Sequence, residues 1–523
     1  MKKLRFLLAA ALLAASCDPV EVWTGNPVNP ENDLDTHGMI VLGKKLEDPF
    51  TVENMSKAFA SVYPTKAGRV VMQPTDLYVR FLPENQEQYD RLAAMGVQML
   101  DHPVDYEILR EGDWYHDPGI EEGKITWQYA VVKTGFDFPS DIRYEKLDDC
   151  YIAANDLSTK ADGLDWEAVE REAFRLTGNG GMISSETKGG TASGTPEGRI
   201  AIVDEFFGNE PEGVRGVKVS CNSFVKFANA YTDKDGNYKM DKTFSSKVRY
   251  RLVFKNAKGF AIGFNLILVP ASTSSLGQGE PSGMSVCIDS GSERKLFTRS
   301  AVSNAAWDYY EKCKGENLTM KTPPANLRIW LFQHIGAGSA PMLQQGAWVD
   351  NSVLSDYLGD AMSLLKIFLP DVTIGLKHLD SYAQIYTETI HELSHASHFM
   401  QAGVDYWTRF ISFVLHSFVS SGFVTYGVGT EKDHGYCEVG EMWAYFNESL
   451  MVREKYDHNY VSGTSFWFYP QIFLYMEERG VNRYQIFNAL TSDVNSRDVL
   501  QKKLVSLYPE HKSMINQAFA RYQ

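Results

Sequence analysis

Cysteine is scarce in this chain, six residues in 523, and the six lie far apart. No Cys-x-x-Cys pair and no dense run is present, which excludes a disulfide-built scaffold, a zinc ribbon and a dithiol redox site. Positive charge is also short. The 51 lysines and arginines stand against 66 aspartates and glutamates, leaving a formal charge of −15. Such a balance lacks the basic footprint that nucleic acid requires, and it would not draw the chain to an acidic membrane surface. Long apolar runs are missing as well: beyond the first residues no stretch of eighteen appears, so no spanning helix is expected. What is present is 44% hydrophobic and 13% aromatic content, enough for several cores, over a length that suggests about three domains.

The first seventeen residues carry an address. Met1-Lys-Lys-Leu-Arg5 is basic, Phe6 to Leu13 is apolar, and the small residues Ala14-Ala15-Ser16 precede Cys17, the arrangement of an export signal. Small residues directly before a cysteine resemble the bacterial lipobox, with Ala14 where Leu is usual. The resemblance implies cleavage before Cys17, lipid on that cysteine, and a place in the bacterial cell envelope, anchored outside the cytoplasm at the outer membrane or cell surface. Residues 18–37, rich in Pro, Asn, Asp and Gly, then read as a tether.

The body reads as multidomain α+β. In residues 38–176 an alternating strand around Leu77, Val79 and Phe81, a helix from Pro83 to Met95, and strands at Gly96–Leu100 and Trp127–Val132 indicate a small N-terminal α/β sandwich. The Gly, Ser and Thr content of residues 177–197 marks a linker. Residues 198–271 hold short β runs parted by turns, the pattern of an all-β sandwich. Gly216-Val-Lys-Val-Ser followed by Thr232-Asp-Lys-Asp-Gly-Asn-Tyr238 resembles the carboxypeptidase regulatory-like, transthyretin-like domains. In those domains the second run is a hairpin turn ahead of a core Tyr. Asp233 and Asp235 do not continue into an EF-hand, whose oxygen spacing fails here. Residues 272–523 alternate helix and strand up to Asp371–Leu376 and are helical afterwards.

That last segment contains Thr387-Glu-Thr-Ile-His391-Glu392-Leu-Ser-His395-Ala-Ser-His398. Residues four apart share one face of a helix, so His391 and His395 can present imidazole nitrogens to one ion. Glu392, beside them, has the chemistry of a general base toward a metal-activated water. A catalytic zinc needs a third protein ligand. The metzincin pattern fails, because His398 stands where Gly is required and Gln401 where His is. Asp433 is one residue out of phase with the aspzincins, and His398 follows His395 too closely to converge on a tetrahedral ion. On a separate stretch, Glu438-Val-Gly-Glu441-Met-Trp-Ala444 resembles the glutamate helix of gluzincins, with Glu438 as the alternative to Glu441. Departures from that family are Glu388, where a small uncharged residue is usual, and Ser397 for an apolar one. The resemblance implies a zincin-like peptidase domain with Zn²⁺ on His391, His395 and Glu441, Glu392 as catalytic base, and Tyr436, His434 or Tyr445 as a donor to the oxyanion. A peptide or protein would be the substrate. The rival expectation is a surface lipoprotein that binds a glycan or a partner protein, its zincin-like half inactive or holding a structural metal.

Overall fold

The computed structural model describes residues 38–66, 71–121, 123–153, 164–184, 193–264, 271–333, 336, 338–347, 370–420 and 426–522. It is a mixed α+β protein, with its β-sheets in the N-terminal and central parts and a helical C-terminal region. The signal stretch, Cys17 and the tether lie outside the described residues. Among the described residues no helix is long and apolar enough to cross a membrane. Cys150, Cys221, Cys287, Cys313 and Cys437 are all free thiols.

Alternation in Asp76–Leu82 (β2) organises the N-terminal part. This strand lies between Gln128–Lys133 (β4) and Arg143–Cys150 (β5), antiparallel to both. Tyr78 points to one face, where Met55 and Phe59 of the helix Val52–Val62 (α1) and Val169 and Phe174 of Trp166–Leu176 (α3) cover it. Val79 and Phe81 point to the other, toward Leu92 of Gln86–Ala94 (α2). Val41–Lys45 (β1) and Tyr106–Arg110 (β3) form a separate antiparallel pair. The expected strand at Gly96–Leu100 does not form. Gly96 takes φ +82°, a left-handed turn that ends α2, and the segment beyond it makes a single bridge, Leu100 to Tyr129.

The central part has two sheets. Lys218–Ser223 (β8), Lys226–Tyr231 (β9), Val248–Val253 (β11) and Thr273–Gly279 (β13) run antiparallel in the order β13-β11-β8-β9. Glu197–Val203 (β6) pairs with Pro211–Gly213 (β7) and Asn237–Lys239 (β10), and on its other side with Val286–Ile288 (β14) in parallel. The Thr232–Tyr238 run is a turn in which Asp233 Oδ1 accepts the backbone N–H groups of Asp235 and Asn237, at 2.9 and 2.8 Å. Tyr238 then enters the core.

A third sheet is parallel: Ala261–Phe264 (β12), Arg328–Phe332 (β15) and Val372–Gly375 (β16). Three pairings, β6 with β14, β11 with β13 and β12 with β15, bridge position 271/272, where the sequence suggests a division. One hydrophobic core runs through both sides of it, from Ile200 to Phe519. The long helix Arg294–Lys312 (α4) contributes Phe297, Ala301 and Ala305 to that core. Beyond β16 come the helices Tyr382–Ala402 (α5), Val404–Ser420 (α6), His434–Lys455 (α7), Gln471–Glu477 (α8), Arg483–Ala489 (α9), Arg497–Leu507 (α10) and Lys512–Arg521 (α11).

Candidate metal centre

Strand β16 delivers the chain directly to α5. Arg294 fixes the turn between them by donating Nη2 to the carbonyls of Leu376 and Leu379, at 2.9 and 3.1 Å. Ser381 caps the helix in a reciprocal box with Gln384, which satisfies the first free N–H groups. Gly403 ends it at φ +88°. Helix α5 is thus defined at both ends, and its middle, Thr389 to Phe399, is buried.

Helix α7 lies against that middle. Trp443 Nε1 donates to the Ser394 carbonyl at 3.1 Å, and Asn447 Nδ2 donates to Ser394 Oγ at 2.9 Å. These bonds set the register in which Glu441 faces the two histidines. Its Oε2 is 3.5 Å from His391 Nε2 and 3.4 Å from His395 Nε2. One ligand atom from each of the three residues falls within 4.8 Å of the other two, and all three residues are buried. A His, His, Glu cluster of this span can hold a metal ion.

Two features test whether the residues fit such an ion. His391 Nε2 is buried and makes no hydrogen bond among the described residues, so a nitrogen able to ligate is left facing the cluster. Its other ring nitrogen, Nδ1, lies 2.8 Å from Glu448 Oε2, and Tyr460 donates its hydroxyl to the second oxygen of Glu448 at 2.7 Å. A carboxylate behind a ligating histidine fixes the ring's orientation and tautomer. Sequence reading missed Glu448 and Tyr460. The signal for Glu448 was its spacing, since residues 441, 445 and 448 share one face of a helix.

The electrostatics follow from burial and proximity. Burial works against a charged ring at His391, yet Glu441 and Glu448 together raise its pKa well above the ordinary value. Burial prevails at His395 and lowers its pKa. Burial would raise the Glu441 carboxyl, but His395 and His391 bring it down to about 2. Glu441 is therefore ionised throughout the physiological range, as a ligand must be.

Glu392 is fully buried and its carboxylate lies beside Gly338, in the segment before β16. A methyl group on Gly338 would come within 2.6 Å of Glu392 Oε1 and 2.4 Å of Glu388 Oε1. That segment is fastened to the sheet by the Ser339–Thr373 bridge, and Ala340 accepts a hydrogen bond from Trp407 Nε1 at 2.8 Å.

The remaining candidates sort by position. Glu438 turns to α10, with Oε1 3.3 Å from Arg497 Nε and Oε2 accepting the Arg497 N–H, so it is not brought into the cluster. Asp433 precedes α7 at φ +66° and lies 3.8 Å from Arg409. Tyr445 packs its ring 4.4 Å from that of His391. Tyr436 packs instead on Tyr406, 4.8 Å between centroids, and His434 lies against Trp467 at 5.9 Å, its Nδ1 2.7 Å from the Glu431 carbonyl. His398 is fully buried between Tyr406 and Trp407. Neither of its ring nitrogens has a hydrogen-bond partner among the described residues. Burial and the neighbouring His395 push it down to about 3, so the ring is neutral.

No family model, no curated protein and no solved structure matches the chain. Its class is therefore defined by the cluster and the elements that hold it: a mixed α+β protein with a buried His-His-Glu site of metal-binding geometry.

Proposed function

We propose that His391, His395 and Glu441 hold Zn²⁺ and that the protein is a metallopeptidase of gluzincin type. On this reading it acts on extracellular peptides or proteins and is anchored to the bacterial envelope by lipid on Cys17. The observation that carries the reading is the convergence of two histidines one helical turn apart with a glutamate from a second helix, with a further carboxylate, Glu392, adjacent in sequence to the first ligand. Two imidazoles and a carboxylate are a donor set suited to zinc and leave a fourth position open. When bound, the ion supplies Lewis acidity toward a carbonyl oxygen and toward water.

The chain's own groups account for the rest. Glu448 orients His391, and the bonds from Trp443 and Asn447 to Ser394 hold Glu441 in register. Glu392 takes a proton from the attacking water and returns it to the leaving amine. Tyr445, whose ring packs on that of His391, donates to the developing oxyanion.

The test uses the purified full chain, metal analysis and a diverse peptide library. Zinc near one equivalent, cleavage abolished by a chelator and restored by zinc, and Glu392→Gln that keeps its zinc while losing cleavage are expected. Full cleavage by Glu392→Gln with its metal intact would remove the base from this scheme. Metal-free protein without cleavage would favour the binding lipoprotein instead.

A further inference from the structure

Alternation along β11 sends Val248, Tyr250 and Leu252 into the core and Arg249 and Arg251 to the opposite face of the sheet. The N-terminal part covers that face. Its residues bring their own acids to the basic groups they meet. Glu111 pairs with Arg249, Asp113 Oδ2 lies 2.9 Å from Arg299 Nη1 of α4, and Asp101 is 2.8 Å from His102 Nδ1. Arg251 feels the charge of Asp101 without pairing with it. It is 3% exposed, and its guanidinium has no ion pair or hydrogen bond among the described residues, Nη1 being buried without a partner.

Arg251 also lines a cleft between β11, β13 and the N-terminal part, together with Trp114, His102 and the three acids just named. A guanidinium withdrawn from water with no acceptor is costly to keep, and its fixed planar fork of donors matches two carboxylate oxygens. The surrounding charges restrict what it can receive. Arg249 and Arg299 are already engaged by Glu111 and Asp113, and three carboxylates stand around the cleft. A doubly charged oxoanion would meet twice the repulsion that a single negative charge on a planar group meets, which favours the single charge.

We propose that this cleft binds a small carboxylate ligand, with Arg251 receiving its two oxygens. The site is separate from the metal centre and independent of the peptidase reading. The carboxylate can belong to a free organic acid or to an acidic sugar, whose ring would find Trp114 as an aromatic wall.

The experiment is a thermal-shift titration of the full chain at constant ionic strength with sodium acetate, sodium glucuronate or sodium phosphate. Wild type is expected to gain stability saturably with the carboxylates, and metal removal is expected to leave that gain unchanged. Arg251→Met should lose the response, with at least a tenfold weaker apparent affinity, while its own melting temperature is no lower than wild type. Arg251→Lys keeps the charge without the fork and should also respond more weakly, which carries the test should Arg251→Met fold poorly. Saturation at lower glucuronate than acetate assigns a sugar acid, and equal saturation assigns the carboxylate alone. No saturable response in wild type, an equal response in the Arg251 variants, or tighter binding of phosphate would overturn the proposal.

Discussion

Glu448 and Asp48 show how much depends on what a buried carboxylate touches. Glu448 accepts from Tyr460 and lies 2.8 Å from His391 Nδ1, so it acts on the cluster through the ring it orients. Replacing it by Gln keeps the shape and removes the charge. Metal affinity is expected to fall about 10- to 100-fold, the usual cost of losing a partner of this kind, as measured by competition with a calibrated chelator. Asp48 accepts the Phe50 N–H at 2.8 Å with Oδ1, while Oδ2 is buried with no partner. Burial, with Asp105 and Asp148 nearby, pushes its carboxyl up to about 8. A folded pKa above the unfolded one means that the fold holds the proton more tightly. The contribution of Asp48 is then fully favourable below about pH 4 and is lost as pH rises toward the folded value. Asp48→Asn, which cannot ionise and keeps an acceptor for Phe50, should melt above wild type at neutral and alkaline pH, and the two should converge in acid.

At the scale of the element, the segment before β16 sets the space around Glu392. The methyl of Gly338→Ala would press on the ends of two flexible side chains, Glu388 and Glu392, so the carboxylates would shift rather than the backbone. Cleavage is expected to fall roughly 10- to 100-fold, the scale of a misplaced catalytic group, with zinc content and melting temperature near wild type. A large loss of stability would show instead that the segment cannot yield. The elements themselves divide into those that local sequence specifies and those it does not. His391 and His395 four apart, Ser381 ahead of the helix and Gly403 at its end are short-range signals, and α5 forms between them. Glu441 was legible because its helix has its own pattern. Glu448 as the partner of His391 was not, because it depends on how far α7 slides along α5. The burial of His398 was not legible for a related reason: it depends on α6 bringing Tyr406 and Trp407 over that face of α5. At Gly96 the left-handed turn prevailed over the apolar alternation that follows it.

At the scale of the molecule, the pairings that sequence could not anticipate are parallel and distant. Strand β12 joins β15 across more than sixty positions, and β6 joins β14 across more than eighty. Neither link leaves a local signature such as a hairpin turn. A fragment beginning at residue 272 would lack β12 and β6 and would expose the core faces they cover. Such a fragment is expected to lack a cooperative melting transition and to be digested far faster than the full chain by a nonspecific protease. A stable, zinc-binding fragment would refute the shared core as a requirement for folding.

The core that runs from Ile200 to Phe519 also sets a timetable for synthesis. The sheet of β2, β4 and β5 has all its strands once Cys150 has left the ribosome, whereas Phe519, far downstream of His395, contributes to the core that surrounds the histidines. Nonlocal contacts of this kind form late and leave apolar surface exposed while they wait. The cluster of His391, His395 and Glu441 is thus assembled only after the chain has emerged as far as Phe519.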